Sequence, residues 1–226
     1  MLRLVLLLVV FFPVAGWADD PARQIVVSAT GAAEATPDMA TVSVGVSREA
    51  GTAAEAMQAM ASAAEAVLEE VTAAGIDARD VQTTSVNLNP VWEAGNTRPP
   101  QIRGYSASTT VAIRVRDLDR LGALLDSVVG SGANQLNGLN FGIADTEPLE
   151  AEARADAVRR AASKAATLAE AAGVTLGPVQ SITEGASRSA PAPMVRGAMM
   201  EAAAVPIASG ELTIRVTVTA AFAIGE

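Results

Sequence analysis

The chain of 226 residues carries 16 Lys and Arg against 25 Asp and Glu, a formal net charge of −9, and has neither cysteine nor histidine. Those two absences exclude disulfides, thiol redox chemistry, Ser-His-Asp and Cys-His nucleophiles and histidine-based zinc sites. The acidic balance, with no basic stripe, argues against nucleic acid and against docking on anionic lipid.

Residues 1–18 read as a secretory leader. Arg3 is the positive flank, Leu4 to Val14 the apolar stretch, and Gly16 and Ala18 are the small residues ahead of a cut before Asp19. A membrane-spanning helix needs about 20 apolar residues, more than this stretch offers, and no later segment is apolar enough. The expected mature chain, 19–226, is therefore periplasmic with no membrane span. Its aromatics are Trp92, Tyr105, Phe141 and Phe222, so the core must be built from Val, Leu, Ile and much Ala.

Gln24 to Ser28 reads as a short strand followed by a bend through Gly31 and Pro37. Val42, Val44 and Val46 alternate with small and polar residues, the pattern of a half-buried strand. Thr52 and Glu55 form a capping box, and Ala56, Met60, Ala63, Val67, Val71 and Ala74 then mark one face of a helix that stops at Gly75. Val81 to Leu88 predicts a strand, Pro90 to Pro100 a hairpin loop or flap, and Tyr105 to Val115 a long strand. Asp117 caps a second helix striped by Leu118, Leu121, Leu124, Leu125, Val128 and Val129, and Leu136 to Ala144 returns as a strand.

Thr146 and Pro148 open a third helix to about Ala172, whose buried face is read as Leu149, Ala153, Val158, Ala161, Ala165, Leu168 and Ala172. After a short strand at Val179 to Glu184, residues 185–210 lose all periodicity and read as a flexible Met- and Pro-rich loop. The chain closes on Leu212, Ile214, Val216, Val218, Ala220, Phe222 and Ile224 at every second position. Such a run, roughly 40 Å at about 3.3 Å per residue, must bend, bridge two layers or pair with an equally long partner. The Tyr105–Val115 strand is the candidate. The expected fold is a single α+β domain, a largely antiparallel sheet with long strands and three helices packed on it.

Several short pieces in order carry a family resemblance. They are Pro37-Asp38-Met39-Ala40-Thr41, Gly75-Ile76 with Asp80-Val81-Gln82-Thr83, Leu88-Asn89-Pro90 and Gly104-Tyr105-Ser106-Ala107. Gly132-Ala133-Asn134, Lys164-Ala165, Gly173, Leu176-Gly177 and Gly210 continue the series. From about Ile25 to the C-terminus the chain resembles the SIMPL-domain family, which includes bacterial periplasmic immunogenic and oxidative-stress defence proteins. The resemblance implies an exported envelope protein connected with oxidative stress. It supplies no catalytic residues.

Chemistry is sparse. Gly130, Gly132 and Gly138 lack the Lys and Ser/Thr of a phosphate loop. Asp77 and Asp80 form a carboxylate pair on paper, but read more simply as turn residues before Val81. Met194, Met199 and Met200 offer soft thioether ligands suited to Cu(I), against the plainer reading of apolar packing on a partner chain. Trp92 and Tyr105 flank the Pro-rich loop, either as an exposed aromatic platform or as the closed edge of the core. No cofactor, metal or catalytic residue is expected. The reading is a non-enzymatic, self-assembling envelope protein, a homo-oligomer, with Trp92, Tyr105, Met194, Met199 and Met200 as candidate interaction surface. The alternative is a periplasmic module that binds a small ligand or an unfolded client.

Overall fold

The computed structural model describes residues 23–93, 101–185, 192–194 and 207–225. The fold is α+β, as expected, but its strands form two antiparallel sheets and not one. In chain order the elements are β1 (Gln24–Ala35), β2 (Met39–Ala50), α1 (Ala53–Ala73), β3 (Val81–Trp92), β4 (Ile102–Val115), α2 (Leu121–Gly130) and β5 (Gln135–Gly142). They continue with α3 (Glu147–Ala172), β6 (Thr175–Glu184), β7 (Ala192–Met194) and β8 (Glu211–Gly225).

The contiguous segment from β2 to β5 makes one sheet in the order β3-β4-β2-β5, with every neighbouring pair antiparallel. Strands β2 and β3 thus run parallel with β4 between them, as do β4 and β5 with β2 between them. This β-α-β-β-α-β arrangement is the split, ferredoxin-like motif. Alternation buries Ala40, Val42, Val44 and Val46 of β2 and Ala107, Val111, Ile113 and Val115 of β4 beneath Ala56, Met60, Val67 and Val71 of α1 and Leu121, Leu124 and Val128 of α2. The Thr52–Glu55 capping box forms in full, and Gly75 takes a φ of +80° just past α1. A side chain bearing Cβ rarely tolerates that conformation.

The second sheet is built from the two ends of the described chain. β8 lies between β1 and β6, with β7 continuing beside its first residues. The equally long partner that β8 requires is β1, paired from Gln24 opposite Ala223 to Ala35 opposite Leu212. The expected pairing with the Tyr105–Val115 strand does not occur, because that strand sits at the centre of the other sheet.

The expectation that β1 ends at Ser28 also fails. The strand runs straight through Gly31, where a Cβ would overlap the carbonyl oxygen of Ala153 and the backbone nitrogen of Ala157. Gly31 permits helix contact and does not mark a bend. Helix α3 faces the sheet with Ala153, Ala157, Ala161, Ala165 and Ala169, one methyl group per turn. Val158 and Leu168, read from the sequence as buried, point to solvent because only the alanine face is small enough to lie this close. Asp38 joins the two units: its N–H donates to Gly142 O at 3.1 Å and its carboxylate accepts from Ala144 N at 2.8 Å.

Two further corrections concern the loops. Pro90, Val91 and Trp92 belong to β3, and the hairpin closes where Glu93 N donates to Gln101 O at 2.8 Å. Within the expected structureless stretch 185–210, Ala192–Met194 pairs with Leu212 and its neighbours, on the length of β8 that β6 leaves unpaired.

Candidate functional site

Two places combine exposure with organised chemistry: the edge of the β3–β4 hairpin and a cleft at the far end of the same sheet.

Strand β3 forms one outer edge of its sheet, since among the described residues only β4 pairs with it. None of its twelve residues, Val81 to Trp92, is charged. Val86, Leu88 and Pro90 stand opposite Thr109, Ala107 and Tyr105 of β4. They therefore share the face that α1 and α2 cover farther in. The helices stop short of the edge. Val86 is 56% exposed, Leu88 43%, Trp92 53% and Ile102, the register partner of Trp92, 47%. Tyr105 is half-buried against the core. Of the expected interaction residues, Trp92 and Tyr105 thus lie on one hairpin. Met194 is the last residue of β7, opposite Glu211. Met199 and Met200 lie outside the described residues.

The other edges differ. Along β1, side chains from α3 occupy the outward backbone groups: Ala32 N donates to Asp156 Oδ2 at 3.2 Å, and Lys164 Nζ donates to Ser28 O at 3.2 Å. The hydrogen bond from Ala32, opposed by burial and aided by Arg160, holds the Asp156 carboxyl below its usual value. Strand β6 has two register shifts and a proline, Pro178, as β3 has, and differs from it in carrying the charge of Glu184. Strand β5 is shorter, eight residues against the twelve of β3. Guards of these kinds are what keep strand edges from adding foreign strands.

The cleft, of about 400 Å³, opens between the end of α1 (Ala74, Gly75), the turn Ile76–Asp80, the end of β4 with the turn after it (Arg114–Arg120), and Ala123, Leu124 and Ser127 of α2. Ser127 Oγ donates to Glu70 Oε2 at 2.9 Å, tying the two helices beside it. Asp80 is the buried member, its side chain 4% exposed. Both its oxygens accept from Arg116, Oδ2 from Nε and Oδ1 from Nη2, each at 2.8 Å. Arg114 Nη1 stands 3.6 Å from Oδ1. The hydrogen bond from Arg116 lowers the Asp80 pKa, with burial opposing it and the charges of Arg116, Arg114 and Arg79 assisting. The same bond raises that of Arg116.

Asp77 and Asp80 are not a carboxylate pair. Asp77 bonds Arg79 at 3.1 Å on the surface, while Asp80 serves Arg116. Sequence reasoning missed the arginines. The available signal was the Arg-x-Arg-Asp run from Arg114 to Asp117, which brackets Val115, the last core residue of β4. Among the described residues, no three acidic side chains converge as a metal site would require, and no helix is long and apolar enough to cross a membrane.

Comparison with known proteins decides the relationship. The SIMPL family, described as "Protein of unknown function (DUF541)", matches residues 25–222. The chain belongs to the SIMPL family. It is 42% identical to the 26 kDa periplasmic immunogenic protein of Brucella melitensis over 215 residues, 91% of this chain and 86% of that protein. The protein of the same name from Brucella abortus is 41% identical over the same shares. The Escherichia coli K12 protein named "Uncharacterized protein YggE" is 31% identical over 193 residues, 85% of this chain and 76% of that one. The family match, residues 25–222, takes in strands of both sheets.

Proposed function

We propose that this SIMPL protein is an exported, periplasmic, non-enzymatic envelope protein that works by assembling with copies of itself along β3. The observation that carries the proposal is the edge strand: twelve residues without a charge, unpaired on one side among the described residues, and flanked by uncovered Val86, Leu88 and Trp92. A strand paired antiparallel with its own copy around a two-fold axis is self-complementary, so no second sequence is needed. The chain's strong negative charge would oppose contact elsewhere between copies. An uncharged edge escapes that repulsion. The Brucella relatives are named as periplasmic proteins, and the leader-like residues 1–18 agree with the same compartment. The oxidative-stress link implied by the family resemblance is part of this proposal, as a consequence of the assembled form.

Light scattering of residues 19–226 over a concentration series tests the reading, alongside the double variant Val86→Lys with Leu88→Lys. A discrete multiple of the chain mass that falls apart in the variant is the expected result. A wild-type monomer at every concentration would sink it. Cells carrying the variant in place of the wild type should lose peroxide tolerance to the same degree as cells lacking the protein.

A further inference from the structure

The cleft beside Asp80 holds more hydrogen-bond donors than its own acceptors use. Each guanidinium carries five N–H donors. Arg116 commits Nε and Nη2 to Asp80. Arg114 approaches the same carboxylate only at 3.6 Å, beyond a hydrogen bond. The Arg120 guanidinium makes no hydrogen bond or ion pair with any described residue, and its Nη1 lies 3.6 Å from where a Cβ on Gly75 would stand. The buried Asp80 cannot satisfy three guanidinium groups.

The charges of Asp77 and Asp38 act on Arg116, but no nearby acid bonds Arg114 or Arg120 within hydrogen-bond distance. Asp77 is bonded to Arg79, Asp117 accepts from Asp119 N at 3.2 Å, and Asp119 itself is exposed and free of ion pairs among the described residues. Apolar side chains complete the lining: Ala74, Ile76, Val115, Ala123 and Leu124. The volume is in the range of sites that take small molecules.

We propose that this cleft binds a small organic carboxylate with an apolar body. The carboxylate is received by Arg114 and Arg120, whose planar forks suit it, and the apolar body lies along Ile76, Ala123 and Leu124. Asp80 acts as the positioning residue: by taking two donors of Arg116 it fixes that guanidinium in the wall and leaves its remaining Nη1 available. The site is separate from the β3 edge, so it does not depend on assembly.

The test uses the mature protein and three probes: hexanoate, hexylammonium and sulfate, each titrated by calorimetry. Hexanoate should bind saturably, hexylammonium should not, and sulfate should bind more weakly because it lacks the apolar body. Arg120→Gln, which leaves the Asp80–Arg116 pair intact, should weaken hexanoate about tenfold, as expected for a lost charge-assisted contact. Ala123→Trp should block the cleft without changing its charge, and serves if the first variant misfolds. Non-saturable hexanoate, unchanged binding in both variants, or equal binding of hexylammonium would overturn the proposal. The association state, followed in parallel, should be the same in every variant.

Discussion

No space separates Gly31 of β1 from Ala157 of α3: a single methyl group on the glycine would overlap the helix backbone. The contact sits inside the alanine ladder that packs α3 on its sheet, so strand and helix approach each other there backbone to backbone. Replacing Gly31 with alanine must push the helix away along a row of methyl groups too short to bridge the gap. The expected cost is about 3 kcal/mol, the upper part of the range for overpacking. Gly122→Ala is the control. Nothing lies within 4 Å of its added Cβ, and a glycine removed from a helix should add about 0.5–1 kcal/mol. Urea unfolding of both variants checks the pair.

A second prediction concerns acid. Asp80 has its folded pKa held below the ordinary carboxylate value, chiefly by the hydrogen bond from Arg116. A carboxyl of that kind contributes stability that is present above its unfolded pKa and is lost as pH falls through the folded one. Stability should therefore hold through neutral and mildly acidic pH and decline below about pH 4, where unfolded carboxyls take up protons. Asp80→Asn should be less stable than wild type at pH 7 and should show a shallower decline in acid. Chemical unfolding at a series of pH values measures both, and a parallel decline in the two proteins would refute the assignment.

The difference between what the sequence foretold and what formed follows the range of the interaction. The capping box at Thr52 and Glu55, the glycine stop at Gly75 and the alternation of β8 are set by neighbours a few residues away, and all three are realised. Which long strand joins β8 depends on the chain closing from residue 24 to residue 223, and periodicity contains no such information. Gly31 was misread for the same reason: its use appears only once α3 arrives from more than a hundred residues away. At the cleft, Asp80 looked like one of several turn residues until folding carried Arg116 to it. Trp92 was visible as an unusual aromatic, whereas the charge-free edge beneath it required knowing that β3 lies outermost.

The cap of α1 gives a simpler expectation. Thr52 Oγ1 accepts from Glu55 N at 3.2 Å, and Glu55 Oε2 accepts from Thr52 N at 3.2 Å. Thr52→Ala removes the first bond and exposes one helix N–H without a partner. The loss should be about 1 kcal/mol, within the range of measured N-cap replacements. Thermal unfolding is sufficient to read it. Because α1 covers β2 and β4, the loss should appear as reduced global stability and not as local fraying of the helix alone.

The guarded and unguarded edges make a paired prediction. On β1 the outward N–H of Ala32 and the outward C=O of Ser28 are each occupied by a side chain of α3, Asp156 and Lys164. On β3 no described side chain plays that part, and no charge lies along the strand. Removing the guards by Asp156→Ala with Lys164→Ala should leave β1 able to accept a further strand. The expected outcome is association beyond the wild-type state, seen as a new, larger species in light scattering. Glu170→Ala, at an exposed position on the same helix, should not produce it. Acid should mimic half of the effect. Since the hydrogen bond from Ala32 keeps the Asp156 carboxyl low, the guard persists through the ordinary carboxylate range and opens only when pH falls below it. If the double variant keeps the wild-type mass at neutral pH, the two side chains are packing contacts and β1 is protected by the bulk of α3.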